Sequence, residues 1–182
     1  MEIKLVNVNV KNFRRFKDVH FRVGKKITVI SGQNGGGKSN LVSLIASGSG
    51  LNQKANFGSN FQPEFYDFFY IDPDEEYSQY ELYLSYQKIG SEELLEKKLT
   101  FKDDTKSNRG IRVIPRTCKG KKYQTLKEAQ KAGEEFFGVG AAARIPIPTI
   151  YLSMSRLYPL GEHKDSVTIK QINKRNKLYQ NE

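Results

Sequence analysis

The sequence predicts an α/β fold: a mixed sheet around the helix that follows a glycine loop, with an antiparallel β subdomain beside it. Three observations predict this. Apolar residues alternate in short runs, at Val6, Val8 and Val10, at Val19, Phe21 and Val23, and at Tyr80, Leu82, Leu84 and Tyr86, the period of half-buried strands. A continuous apolar run, Ile27, Val29 and Ile30, then leads into a loop containing Gly32, Gly35, Gly36 and Gly37. After the loop, Leu41, Leu44 and Ile45 repeat at helical spacing until Gly48-Ser49-Gly50 stops them.

The elements follow in order. Asn12 to Arg15 turns the first strand into the second, and Val23-Gly24-Lys25-Lys26 turns the second into the strand Ile27 to Ile30. The helix after the glycine loop gives way to a polar stretch, Asn52 to Asn60, that reads as a surface loop. The aromatic stretch Phe65 to Ile71 suits a strand, as do Tyr80 to Tyr86, Leu99 to Phe101, and Ile111 to Ile114 before Pro115. Thr125-Leu126-Lys127-Glu128 is a capping-box pattern and predicts a helix through Ala129 and Ala132 to Phe136, ending near Gly138. Ile147 to Met154 is the last expected strand, with Pro146 and Pro148 placing its start at an edge. Ile169 and Ile172 suggest a helix in a basic tail that carries Lys170, Lys174, Arg175 and Lys177.

The 182 residues are expected to form a single domain, residues 1–182. Thirty Lys and Arg against twenty Asp and Glu give a formal charge of +10, which attracts polyanions, although lysines scattered over a solvated surface give the same sum. One cysteine, Cys118, excludes an internal disulfide, and His20 and His163 do not make a zinc cluster, so any metal is expected on oxygen ligands. No run approaches the roughly 18 apolar residues that span a bilayer, and the start MEIKLVNVNVKNF lacks a signal-peptide layout; the expectation is a cytoplasmic protein without a membrane partner.

The chemistry lies in Gly32-Gln33-Asn34-Gly35-Gly36-Gly37-Lys38-Ser39, which matches GxxxxGK[ST] at every fixed position, between a strand and a helix. Glycines let the backbone curl around phosphate with its N–H groups pointing inward. Lys38 is the candidate catalytic cation, reaching the β- and γ-phosphates of ATP, and the Ser39 hydroxyl is the candidate Mg²⁺ ligand. The N-terminus of the helix adds its partial positive charge, so Gln33, Asn34, Gly35, Gly36, Gly37, Lys38, Ser39 and Asn40 are expected to line the nucleotide.

The tract Asn12-Phe13-Arg14-Arg15-Phe16, followed by a strand and by Gly32 to Asn40, resembles the ABC-type ATPases of the SMC, RecF and OLD group over residues 1 to 47. The resemblance implies an ABC-ATPase-like head lobe with a P-loop NTPase fold, a homodimer closed around two nucleotides, and action on DNA. It also implies that Arg14 reaches back to the phosphates; the alternative is a solvated hairpin charge beside Arg15. Tyr151 to Pro159 resembles a segment of defence-associated ATPases, which implies a bacterial antiviral setting. Arg156 within it is either a nucleotide or DNA contact or an exposed arginine at a strand end.

Phe68-Phe69-Tyr70-Ile71-Asp72 has the form of four apolar residues and an acid, so Asp72 is a candidate metal ligand, or else a turn residue in Asp72-Pro73-Asp74. No LSGGQ-like signature is found, and no apolar strand ending in adjacent Asp and Glu follows residue 76. The chain therefore reads as the N-terminal, Walker A lobe of a larger head, expected to bind ATP and to turn it over poorly. Two rivals remain, a self-sufficient small nucleotide hydrolase using Asp72, and a nucleotide-gated module that does not hydrolyse and docks DNA, or a nuclease or other effector, through its basic tail.

Overall fold

A computed structural model describes residues 3–54, 60–72, 74–103 and 110–152. The unit spanning Met1–Ile150 is the subject here; of the second unit, Tyr151–Glu182, Tyr151 and Leu152 are described. Arg156, the end of the expected strand at Met154, the Ile169–Ile172 helix and the basic tail lie outside the described residues.

Strands β1 (Ile3–Phe13) and β2 (Phe16–Arg22) form a hairpin with Phe13 opposite Phe16, so the turn is the pair Arg14-Arg15. Strand β1 also pairs with β5 (Glu81–Lys88), which pairs with β6 (Leu94–Asp103), which pairs with β7 (Ile111–Thr117). The result is one five-stranded sheet in the order β2-β1-β5-β6-β7, antiparallel at every step. The expected mixed sheet is corrected to this extent: among the described residues the parallel pairing is an isolated bridge between Ser49 and Ile145. The expected antiparallel subdomain is not separate from the opening hairpin but continuous with it, because β1 lies between β2 and β5.

The alternation seen in the sequence sets the two faces. Val8, Val10, Leu82, Leu84, Tyr86, Leu95 and Leu99 point to the inner face and are fully buried. Helix α1 (Lys38–Ala46) covers that face with Leu41 and Leu44, and its end packs so closely that a Cβ at Gly48 would lie 2.2 Å from Leu84 Cδ1. Helix α2 (Leu126–Phe137) starts at the Thr125–Glu128 capping box and ends at Gly138, as the sequence predicts, and buries Ala129, Ala132 and Phe137. A short ribbon, β3 (Leu51–Lys54) with β4 (Asn60–Phe61), occupies part of the stretch read as loop.

Two expected strands, and the described part of a third, are not strands. Phe65 to Ile71 opens as a 3₁₀ turn over Phe65–Asp67, which turns Phe65 and Phe69 inward while leaving Asp67 exposed, where a strand would put all three on one face. Both rings meet Phe13, at centroid distances of 6.3 and 5.2 Å, in a cluster that Tyr80 and Phe101 complete. Residues Ile27 to Ile30 have no ladder partner among the described residues, leaving Ile27 80% and Val29 82% exposed. The described part of the Ile147–Met154 segment is likewise outside any ladder, with Ile150 and Leu152 exposed. No described helix is long and apolar enough to cross a membrane.

Candidate nucleotide-binding site

The glycine loop is curled. Gly35 and Gly37 have φ of 74° and 86°, left-handed values that a side chain would penalise, and Gly36 N–H closes the turn by donating to the Gln33 carbonyl at 3.0 Å. Gly37 caps α1 without help from a side chain, and Leu41 N–H makes the first helical bond back to the Gly37 carbonyl at 2.9 Å. Among the described residues no carbonyl takes the N–H groups of Gly35, Gly37, Lys38 and Ser39, the orphan donors expected of a helix start. An anion can accept from them, and the helix dipole favours negative charge there.

Lys38 folds back across the loop, its Nζ donating to the carbonyls of Gly32 and Gln33, each at 2.8 Å. Ser39 and Asn40 follow on the first turn of α1, Ser39 exposed and Asn40 half-buried, while Gln33 and Asn34 lie exposed in the loop. The loop and the start of α1 thus carry, on consecutive residues, amide donors and a cation suited to phosphate oxygens and a hydroxyl suited to Mg²⁺.

The two hairpin arginines part company. Arg14, at φ 52°, turns away from the loop: its Nη2 donates to the Tyr70 carbonyl at 2.8 Å, its Nε pairs with Glu75 at 3.2 Å, and its guanidinium lies 5.4 Å from the Phe69 ring centroid. Glu75 also accepts from the Tyr80 hydroxyl; partial burial raises its pKa, but the Tyr80 and Arg14 hydrogen bonds outweigh that and hold the carboxyl below its ordinary range. Arg15 turns toward the loop, and its Nη1 donates to the Gly35 carbonyl. Phe16 follows it, so that a Cβ at Gly37 would lie 2.8 Å from Phe16 Cζ and 3.1 Å from Arg15 Cδ. Sequence reasoning did not single out Arg15 and Phe16. In the two-residue turn the two arginines reach different partners, and no local sequence pattern tells which of them faces the loop.

Asp72 behaves as a turn residue: its Oδ1 accepts from Asp74 N–H at 3.0 Å and its carbonyl from Glu75 N–H at 2.9 Å. Across residues 7–181 the sequence matches the model of the AAA domain family. The chain belongs to that family. It is therefore an AAA-type P-loop ATPase domain, of the α/β class, whose members bind nucleotide and typically use Mg²⁺. No characterised protein matches the chain closely enough to count as a relative.

Proposed function

We propose that this AAA domain captures the triphosphate of ATP on the loop Gly32 to Ser39 and works as a nucleotide-gated head of the SMC, RecF and OLD kind. The observation that carries the reading is the set of unclaimed amides at Gly35, Gly37, Lys38 and Ser39 beneath a folded-back lysine. Phosphate oxygens accept from those amides, Lys38 exchanges two neutral carbonyls for anionic oxygens, and the Ser39 hydroxyl takes Mg²⁺. Bound nucleotide supplies the magnesium bridge and the hydrolysable bond; the protein supplies position and charge.

Two homologous loops closing on a pair of nucleotides would form the homodimer, with DNA as the polymer acted on, in DNA maintenance or antiviral defence beside a nuclease or other effector. The support for this part is the resemblance of Asn12 to Phe16 and Gly32 to Asn40 to that group, and the formal charge of +10. Arg14 joins the site in this reading by leaving Glu75 when nucleotide arrives.

The test is nucleotide-dependent thermal stabilisation. At Mg-ATP about one hundred times its Kd, ligand linkage adds about 2.7 kcal/mol to the folded state. Lys38→Ala should keep the ligand-free Tm and lose the ATP shift. An unchanged shift in that variant overturns the loop assignment.

A further inference from the structure

The outer face of the sheet holds cations where sheet chemistry disfavours them. Register places Lys98 of β6 directly opposite Arg116 of β7, and Lys102 directly opposite Arg112. Cross-strand partners share a face, and like charges held opposite repel. Lys98 is paired with Glu81 at 2.6 Å and lies over the Tyr83 ring at 5.2 Å. Among the described residues no carboxylate pairs with Lys102 or Arg116, both of which are exposed. Lys102 and Arg116, one on each of the adjacent strands, are thus exposed cations beside a further cross-strand cation each, an arrangement that a bound polyanion stabilises.

We propose that this β6–β7 face binds the phosphate backbone of nucleic acid. The inference rests on the reading above that nucleic acid is the polymer this domain acts on, and it assigns the contact to a surface of the described fold. The two pairs lie four strand residues apart, roughly 13 Å, a distance that covers about four base steps of a duplex. Arginine's fork of donors suits phosphate oxygens. Between the basic pairs the face carries Thr100 and the half-buried Ile114, with Tyr83 beside Lys98 and the exposed Leu94 at the far end of β6, so its apolar members are scattered and do not form the apolar centre that a protein interface requires. Backbone binding requires no such centre, because displaced counterions supply the driving force.

The experiment is fluorescence anisotropy of the full chain with a labelled duplex of about 20 base pairs, titrated across a salt series. Lys102→Ala combined with Arg116→Ala should weaken binding roughly tenfold or more near 0.1 M salt and flatten the plot of log affinity against log salt by about two units. Its Tm should match or exceed that of the wild type, because each replaced cation is exposed, lies opposite another cation and has no described carboxylate partner to lose. Lys127→Ala with Lys131→Ala, on the exposed side of α2, removes the same charge elsewhere and should leave affinity unchanged. Equal losses in both double variants mean that binding follows net charge and overturn the proposal, as does an unaltered slope in the β6–β7 variant while the wild type binds; in that last case the wider reading stands. A wild type that binds no duplex at any salt sinks both. Competition by poly-glutamate as strong as that by unlabelled duplex overturns nucleic acid in favour of an acidic protein.

Discussion

Lys97 is the most buried charge in the described fold, at 1% exposure, and no carboxylate faces it among the described residues. Its Nζ donates to Thr117 Oγ1 at 2.8 Å and to the carbonyls of Gly140 and Ala141 at 3.0 and 3.2 Å. Those bonds hold the segment after α2 against β6 and β7; a few residues on, Ile145 accepts from Gly50 N–H at 3.2 Å beside the end of α1. Burial pushes the ammonium down to about 8 from the 10.5 of a solvated lysine. The folded form therefore gives up its proton before the unfolded chain does. Stability from this group is full above 10.5, declines as pH falls, and is gone below about 8. At about 1.4 kcal/mol for each pH unit of displacement, the whole swing is about 3 kcal/mol. Lys97→Met abolishes the titration. The difference in unfolding free energy between wild type and variant, from urea melts at closely spaced pH between 7 and 10.5, should grow in favour of the wild type by about that amount. Tyrosines titrate near the top of the window, but they are common to both proteins and cancel. Near pH 7 the variant should still be the less stable by about 1–3 kcal/mol, because three buried acceptors lose their donor. A difference that stays flat from pH 7 to 10.5 refutes the reasoning, since it means that Lys97 keeps the proton affinity of a solvated lysine.

Gly37→Ala should lose both ATP affinity and about 1–3 kcal/mol of stability, since the change strains a residue at φ 86° and drives a methyl into Phe16; isothermal titration and a urea melt check the two effects. Thr125→Ala removes the α2 cap bond, in which Glu128 N–H donates to Thr125 Oγ1 at 3.2 Å, and should cost about 1 kcal/mol without changing nucleotide binding. Glu75 is held below its ordinary range, so its contribution is present above that range and lost as pH falls through the depressed value; Glu75→Gln should flatten this part of the acid limb in a Tm-against-pH profile. Asp72→Ala should leave any ATP turnover of the chain intact, because its carboxylate closes a turn; loss of turnover in a folded variant revives the small-hydrolase reading.

Local signals were the legible ones. The capping box at Thr125 and Glu128 and the stop at Gly138 mark the start and end of α2 because the responsible atoms are neighbours in sequence. The alternation of Tyr80 to Tyr86 marks β5 because one face is buried and the other is not. The aromatic stretch after Glu64 misled because aromatic content suggested a strand, although spacing argued otherwise. As a strand, Phe65 and Phe69 would share the core face with Asp67 between them, which would bury a carboxylate; a helical turn puts both rings inward and frees Asp67 to accept from Glu64 N–H at 3.1 Å. Sheet order was not legible at all. That β1 lies between β2 and β5 depends on a pairing some seventy-five residues apart, such as Val8 with Leu84, and no local pattern records it.

The approach to the glycine loop, Ile27 to Ile30, departs furthest from what the sequence implies, and the departure bears on how the site keeps its shape. A strand leading into such a loop would ordinarily be fixed by ladder neighbours, yet Ile27 and Val29 face solvent and their backbone pairs with no described strand. What steadies the loop comes from the other side. The β1–β2 turn sets Arg15 against the Gly35 carbonyl and Phe16 against Gly37, and that turn is itself fixed by Phe13 in the aromatic cluster and by Arg14 on Glu75. Arg14 makes no contact with the loop, yet through Glu75 and the Tyr70 carbonyl it anchors the same two-residue turn that carries Arg15. The two arginines thus tie the turn to Glu75 on one side and to the Gly35 carbonyl on the other, so hairpin side chains hold the loop where a ladder neighbour ordinarily would.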